Sequence, residues 1–431
     1  MNIPKGTRDF LPEEKIIRDQ LISKFKEVFE LYGYNPLETP SLELYETLSR
    51  KDGAGEESDS MKEVYTLEDN AGRKLALRFD QTVPLARVMA MNPEIKKPFK
   101  RYEIGKTWRD GPIKLGRYRE FLQCDVDVVG IKSVLAEAEL FSLVQKFFEK
   151  INLKIKMFVN NRKLINSMMD YAGVPKDSQS SAIISMDKLD KIGINGVRKE
   201  FEEKKIADDA IAKLLSLLDF NGGTNEEILE KLGSVLKDKE GINELKELFS
   251  YTKEFKIKNL NLNISLARGF SYYTGSIFEV FVDNETINSS LAGGGRFDEM
   301  VGRFMDSKTE VPAVGIAFGL DVIIDTLRLN NKLGRKKSVV EAYIIPIKKT
   351  MESIPILNEL REAGINADMD LSGKSVGKNI DFVDKLNIPY SIFVGENELK
   401  SKKVKLKNMQ TGEEKELSLK EVISTIKDDS K

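Results

Sequence analysis

A chain of 431 residues that is 41% hydrophobic is too long for one ordinary core, so two or three domains are expected. Its 68 basic and 69 acidic residues leave a net charge of −1, so contact with nucleic acid has to come from local patches. The single cysteine, Cys124, excludes internal disulfides and multi-cysteine metal sites, and a histidine count of 0 excludes serine–histidine triads, cysteine–histidine pairs and histidine-ligated zinc. What remains for chemistry is arginine, carboxylates, amides, hydroxyls or a hard cation such as Mg²⁺. No apolar run is long enough to cross a bilayer and the N-terminal stretch lacks a signal pattern, which predicts a cytoplasmic protein away from membranes.

Apolar residues at helical spacing (Ile16, Ile17, Leu21, Phe25, Val28, Phe29) predict a helix from Glu13 to Leu31, stopped by Gly33. Tyr34 to Pro40 then extends, Leu42–Leu48 reads as a short helix, and the polar stretch Lys51–Lys62 as a loop. Strands are expected at Val64–Leu67 and Lys74–Arg78, joined by the turn Asp69-Asn70-Ala71-Gly72. A helix at Leu85–Met91 follows. Residues 101–130 read as a strand, a polar turn with Gly111, Pro112 and Gly116, and a returning strand. Period-two alternation puts Phe121, Gln123, Asp125 and Asp127 on one face of that strand. With arginines flanking the turn, such a face suits a floor that stacks a ring, grips phosphate and holds a cationic substrate. A solvated hairpin is the other reading.

A helix (Val134–Lys150) and a strand (Lys154–Asn160) come next, and the charged helical pattern from Arg162 to Phe255 predicts an all-helical insert. Strand signals return at Leu262–Ala267, Ser276–Val282, the glycine-rich Ala292–Gly295 and Val311–Phe318, before a helix at Leu320–Leu329. The polar, basic 330–337 stretch is the expected linker. Beyond it strands (Val340–Pro346, Asn366–Asp370, Tyr390–Val394) alternate with helices (Met351–Ala363, Val376–Leu386), which argues for a small α/β domain. A β-pair (Val404–Met409, Glu414–Leu417) and a terminal helix close it. Ser372-Gly373-Lys374-Ser375 ends like a phosphate loop, but Asp368 stands where that loop needs glycine, so a helix start with Ser372 or Ser375 near the cap is expected.

Six stretches stand in an order that resembles class II histidyl-tRNA synthetases: Pro4-Lys5-Gly6-Thr7-Arg8-Asp9-Phe10, Arg78-Phe79-Asp80-Gln81-Thr82, the 108–130 hairpin (similar to motif 2), residues 267–275 (ARGFSYYTG), 291–298 (LAGGGRFD) and 311–321 (VPAVGIAFGLD). Pro40 and its surroundings are similar to motif 1. The resemblance implies an α+β fold: an antiparallel-sheet catalytic core at 1–160 and 256–329, a helical insertion at 161–255 near the tRNA acceptor stem, and an α/β anticodon-binding domain at 338–431. It also implies a homodimer, and a two-step reaction in which L-histidine and ATP, with Mg²⁺, give histidyl-adenylate, whose histidyl group passes to the 3′ end of tRNA(His).

Carried onto matching positions, the resemblance makes Arg268 and Arg109 catalytic, charge-neutralising residues at the α-phosphate. Asp80, Thr82 and Gln123 lie at the ammonium site, with Asp80 one methylene shorter than the glutamate common there, and Gln81 counts among the histidine-binding residues. Asp127, Tyr272 and Tyr273 surround the imidazole, with Arg109 and Arg268 reaching the same substrate. Arg109, Arg117, Phe121 and Arg296 would bind ATP, and no residue would ligate a metal. Left to the residues alone, Phe121 also fits a core position, Asp127 a solvated edge strand, the tyrosine pair core packing, and Arg268 and Arg296 structural roles. Lys402, Lys403, Lys405 and Lys407 form a basic ribbon that fits either a solvated face or an anticodon stem. The pattern departs at two places: Val322 replaces the arginine that usually ends motif 3, and Ser271 stands where many members carry Asp. The loss at position 322 keeps open a non-catalytic relative, either a regulatory subunit of histidine biosynthesis or a tRNA sensor.

Overall fold

The computed structural model describes residues 1–49, 59–267, 272–284, 286–305, 309–334 and 336–429. Arg268, Ser271 and most of the expected 51–62 loop lie outside those residues. The chain divides into two compact units, one of residues 1–8 and 22–332, the other of residues 9–21 and 333–431.

The first unit takes the later part of α1 (Pro12–Leu31), then β1 (Asn35–Pro36), β2 (Leu42–Leu44), α2 (Tyr45–Ser49), α3 (Asp59–Lys62), β3 (Thr66–Glu68), β4 (Lys74–Leu77) and α4 (Thr82–Met91). The long hairpin β5 (Phe99–Trp108) and β6 (Glu120–Val129) follows, then α5 (Leu135–Lys150) and β7 (Ile155–Asn161). Helices α6 (Arg162–Ala172), α7 (Lys176–Met186), α8 (Leu189–Glu203), α9 (Asp208–Leu218), α10 (Asn225–Val235) and α11 (Glu240–Glu254) form the insert. The chain returns through β8 (Leu260–Leu262), β9 (Ser276–Val282), β10 (Ala292–Arg296), α12 (Met300–Phe304), β11 (Ala313–Gly319) and α13 (Leu320–Leu329).

Eight strands join in the order β1-β5-β6-β11-β10-β9-β7-β8, antiparallel except for the edge pairs β1/β5 and β7/β8. Even-numbered residues of β6 and β11 (Cys124, Val126, Val128; Val314, Ile316, Phe318) are buried on one face. There the Phe25 ring stacks on Phe147 at 3.7 Å and meets Phe318 edge-on at 5.2 Å. Buried rings of this kind stabilise by about 1.5–3 kcal/mol each through area alone, so α1 and α5 fix one side of the sheet firmly. The opposite, odd-numbered face is left for chemistry.

Two local expectations are corrected. Leu42–Leu48 begins as a strand because Glu43 points inward to Arg87 (2.8 Å), while Leu42 and Leu44 point outward; β2, β4 and β3 make a separate three-stranded sheet. The strand expected over Leu262–Ala267 ends at Leu262. Asn263 stops it by accepting from the Ser265 N–H (3.0 Å) and hydroxyl (2.6 Å), a side-chain turn that competes with the ladder.

The second unit carries β12 (Ala342–Pro346), α14 (Thr350–Glu362), β13 (Ala367–Met369), α15 (Val376–Lys385), β14 (Tyr390–Val394), α16 (Glu396–Ser401), β15 (Val404–Asn408), β16 (Glu414–Leu417) and α17 (Leu419–Asp429). Its sheet runs β13-β12-β14-β15-β16, parallel in the first three strands, around a core that includes Ile344, Leu360, Ile392, Val394 and Val422. Ser375 is the N-cap residue of α15, and the loop before it wraps Asp370, which accepts from the Ser372 and Lys374 N–H groups and from Asn379. In the lysine ribbon Lys405 and Lys407 both pair with Glu414.

Candidate active site

Strand register lays the odd-numbered face out as two transverse rows. One row reads Glu103, Asp125, Ala317, Gly293, Glu279, Phe158 across β5, β6, β11, β10, β9 and β7. The next reads Arg101, Asp127, Gly315, Gly295, Ile277, Asn160. Gln123 opposes Gly319 one step nearer the hairpin turn. Carboxylates therefore stand on β6 while β11 and β10 beside them carry only glycine or alanine. That difference in bulk hollows out a cleft of about 1010 Å³ whose walls include Asp80, Thr82, Arg109, Arg117, Phe121, Gln123, Asp125, Asp127, Tyr272 and Tyr273.

Asp127 is 2% exposed and lies over Gly315, where an added Cβ would meet its carboxylate. The ring of Tyr273 lies over Gly295: a Cβ there would be 2.7 Å from Tyr273 Cδ1. The Asp127 carboxylate and the Tyr273 ring thus lie over two glycines that face each other across β11 and β10, on strands about 5 Å apart. Tyr272 meets Tyr273 edge-on, 4.8 Å between ring centroids. Beside Asp127, on the neighbouring β5, the fully buried Arg101 brings Nη2 to 2.8 Å of its Oδ2 and donates to the Gln81 carbonyl. Glu103 joins it on that strand, accepting from Arg78 (2.5 Å) and from the Thr39 N–H and hydroxyl. Burial pushes the Asp127 carboxyl up to about 6; Arg101 opposes the rise, while Glu103 and Asp80 add to it.

Asp80 stands just before α4, accepts from the Val83 N–H (3.1 Å) and is reached by the Tyr272 hydroxyl at 3.5 Å. Burial raises its carboxyl, with Val83 N–H and Arg109 among the influences holding it down. Arg109 is half-buried at the end of the hairpin's first strand, its Nε donating to the Phe79 carbonyl and its guanidinium 5.3 Å from the Phe121 ring centroid. Arg117 lies at the exposed turn, where Glu63 takes its Nη2 at 3.0 Å. So Asp80, Thr82, Arg109, Arg117, Phe121, Gln123, Asp127, Tyr272 and Tyr273 all meet at one cleft. Arg268 lies outside the described residues.

Two candidates stand elsewhere. Gln81 is fully buried and turns away from the cleft to donate to the Gly105 carbonyl at 3.0 Å. Arg296 does not reach the cleft for ATP. Its Nε and Nη2 grip Glu137 at 2.7 Å, and the remaining donors go to Asp298, Ile131 O and Ser133 O. A guanidinium has five N–H donors, and here all five are taken by protein. Val322 is 5% exposed and packs with Ile287 under the turn at Gly116, whose φ of +73° suits glycine.

Three positions on which the sequence reading places no role belong to the setting of the site. Arg101 and Glu103 supply the charged edge of the same face, on β5 beside Asp127 and Asp125. Asp321 ties three segments together, accepting from Arg8 (2.5 Å) and from the Leu122 N–H (2.9 Å). Arg8 also lies 3.5 Å from the Tyr118 ring centroid, so the 1–8 stretch braces the hairpin turn. The inward set Arg101, Glu103, Asp125, Asp127 is visible as alternation; which charges pair needs the register.

A family model described as histidyl-tRNA synthetase matches residues 6–323, and one described as anticodon binding domain matches residues 341–429. Histidine–tRNA ligase 1 of Bacillus cereus is 40% identical over 437 residues, spanning 99% of this chain and 96% of its own. The histidine–tRNA ligase of Clostridium tetani is 34% identical over 99% of this chain and 98% of its own. Among solved structures, the histidyl-tRNA synthetase from Nostoc sp. PCC 7120 superposes with a TM-score of 0.87 at 28% identity, covering 100% of this chain and 99% of that one. With both family models matched in order and relatives aligned along nearly its whole length, the chain belongs to the histidyl-tRNA synthetase family.

Proposed function

We propose that the cleft ligates histidine to tRNA(His) in two steps. ATP lies toward the hairpin turn, its adenine on the face of Phe121 and its outer phosphates near Arg117. Histidine lies toward Tyr273. Its ammonium faces Asp80, Thr82 and Gln123, and its imidazole meets Asp127 and Tyr273. The histidine carboxylate attacks the α-phosphorus and pyrophosphate leaves. Two anions approach each other in that step, so Arg109, with its fork of donors, neutralises the meeting point. Arg268, in the matching motif, is assigned the same task. In the second step the terminal ribose hydroxyl of the tRNA attacks the acyl carbon and releases AMP.

Mg²⁺ enters with the triphosphate as part of the substrate, held by phosphate oxygens and water. The single observation that carries this reading is the placement of Asp127 and Tyr273 over two facing glycines at one wall of the cleft. An analogue without a ring nitrogen would forfeit its hydrogen bond to one of those two buried polar groups, a basis for selection. The protein is proposed to act in the cytoplasm; among the described residues no helix is long and apolar enough to span a membrane. It is also proposed to act as a homodimer. On the small sheet, register aligns Leu44, Leu75 and Leu67 in one row and Leu42 with Leu77 in the next, and Leu42, Leu44 and Leu67 are 40–43% exposed. The test is exchange of labelled pyrophosphate into ATP with histidine against other amino acids. Exchange only with histidine is expected, and none with histidine overturns the reading.

A further inference from the structure

Asp125 occupies the middle of the β6 face, between Gln123 and Asp127, and is 2% exposed yet lines the cleft. Its row-mates on β11 and β10 are Ala317 and Gly293, so no bulky side chain from those strands covers it. Its Oδ1 has no hydrogen-bond partner among the described residues. The neighbouring acids are each matched with a cation: Glu103 with Arg78 at 2.5 Å, Asp127 with Arg101 at 2.8 Å, and Asp80 with the attraction of Arg109. The charged groups facing Asp125 are Arg101 and Glu103 on β5, Asp127 on its own strand, Asp80 ahead of α4 and, further along the row, Glu279 on β9. Among the described residues, acids outnumber cations there. A buried carboxyl without its own cation costs folding free energy unless a ligand supplies the missing charge.

We infer that Asp125 is a further histidine-binding residue, its Oδ1 accepting a hydrogen bond from the substrate α-ammonium beside Asp80 and Gln123. The ammonium has three N–H donors and a permanent charge near neutral pH, and Asp125 joins Asp80, Thr82 and Gln123 as an acceptor around it. The imidazole, mostly uncharged at that pH, goes to Asp127 and Tyr273. This rests on the histidine site described above. Burial, together with Asp127, Asp80 and Glu103 and against Arg101, holds the Asp125 carboxyl well above the usual carboxylate range. An arriving ammonium favours the charged form, so binding draws the Asp125 carboxyl back down and releases protons to solvent.

The experiment uses the full chain with Asp125→Asn, which keeps the volume, and Asp125→Ala. In pyrophosphate exchange the Asn variant is expected to raise the KM for histidine roughly 10- to 100-fold, as for a lost hydrogen bond to a charged group, with kcat at saturating histidine retained. Calorimetric titration of histidine in two buffers of different ionisation enthalpy should show less proton release for Asp125→Asn than for the wild type. Histidinol, which keeps the ammonium, should bind more weakly to the variant; imidazolepropionate, which lacks it, should bind equally to both. An unchanged KM, or equal weakening of both ligands, overturns the assignment. Absence of histidine-dependent exchange in the wild type would instead end the underlying reading of the site.

Discussion

The carboxylate of Asp127 fills the space a side chain at position 315 would need: a Cβ on Gly315 would lie 2.5 Å from Asp127 Cγ and 2.9 Å from the Val126 carbonyl oxygen. The second of those neighbours is backbone in a central strand and has nowhere to go. Gly315→Ala is therefore expected to tilt Asp127 out of its position beside Tyr273 and to cost about 1–3 kcal/mol of stability through overpacking. In pyrophosphate exchange the KM for histidine should rise while the KM for ATP stays near the wild-type value. Equal changes in both constants would show that the glycine serves the sheet and not the histidine site.

The Asp127 carboxyl, raised to about 6 in the folded protein, sits near 3.9 in an unfolded chain. The folded state thus holds the proton more tightly. Its stabilising contribution is complete below about pH 4 and is lost as pH rises through about 6, with a ceiling of about 2–3 kcal/mol. Asp80 and Asp125 shift in the same direction and widen the window. Denaturant unfolding between pH 4 and pH 7 should show wild-type stability declining with pH more steeply than that of Asp127→Asn. Parallel curves would mean that Asp127 stays ionised throughout.

Alternation along one strand made Phe121, Gln123, Asp125 and Asp127 legible as a single face, because period two needs no partner strand. The amphipathic helices and the α/β order of the second unit were legible for the same local reason. Register was not. That Asp127 lies beside Gly315 depends on pairing two strands about 190 positions apart, and no pattern near either residue specifies it. Arg296 shows a different limit: an arginine after three glycines suits a phosphate and an ion pair equally well, and the deciding partner, Glu137, lies 159 positions upstream. Asn263 misled more simply, since one side-chain turn ended a strand that the flanking apolar residues advertised.

Arg296 and Glu137 are 5% and 0% exposed at the side chain. Removing the cation leaves Glu137 buried without its partner, which typically costs about 3–5 kcal/mol. Arg296→Met should lower the unfolding midpoint clearly, yet the protein that remains folded at low temperature should keep the wild-type KM for ATP. A selective rise in that KM, with stability intact, would restore a nucleotide-binding role to Arg296.

Phe121 is half-buried beside the Arg109 guanidinium, with its ring on the cleft wall. Stacking between a base and an aromatic ring is worth about 1–3 kcal/mol. Phe121→Ala should therefore raise the KM for ATP roughly 5- to 100-fold, while Phe121→Trp should largely preserve it. The KM for histidine should hardly move. If alanine and tryptophan behave alike, adenine does not rest on this ring.

The leucine rows of the small sheet test the proposed assembly. In a two-fold symmetric interface every residue is used twice, so one charge placed at its centre is buried twice. Leu44 is 41% exposed, and in the sheet it is the register partner of Leu75, so an aspartate there would keep its carboxylate in water in a lone chain. Leu44→Asp should consequently leave the thermal stability of the single chain almost unchanged while abolishing pairing. Light scattering is expected to give twice 48.8 kDa for the wild type and 48.8 kDa for the variant. A wild-type mass of one chain would sink the dimer proposal. A variant that still pairs would move the interface away from the leucine rows.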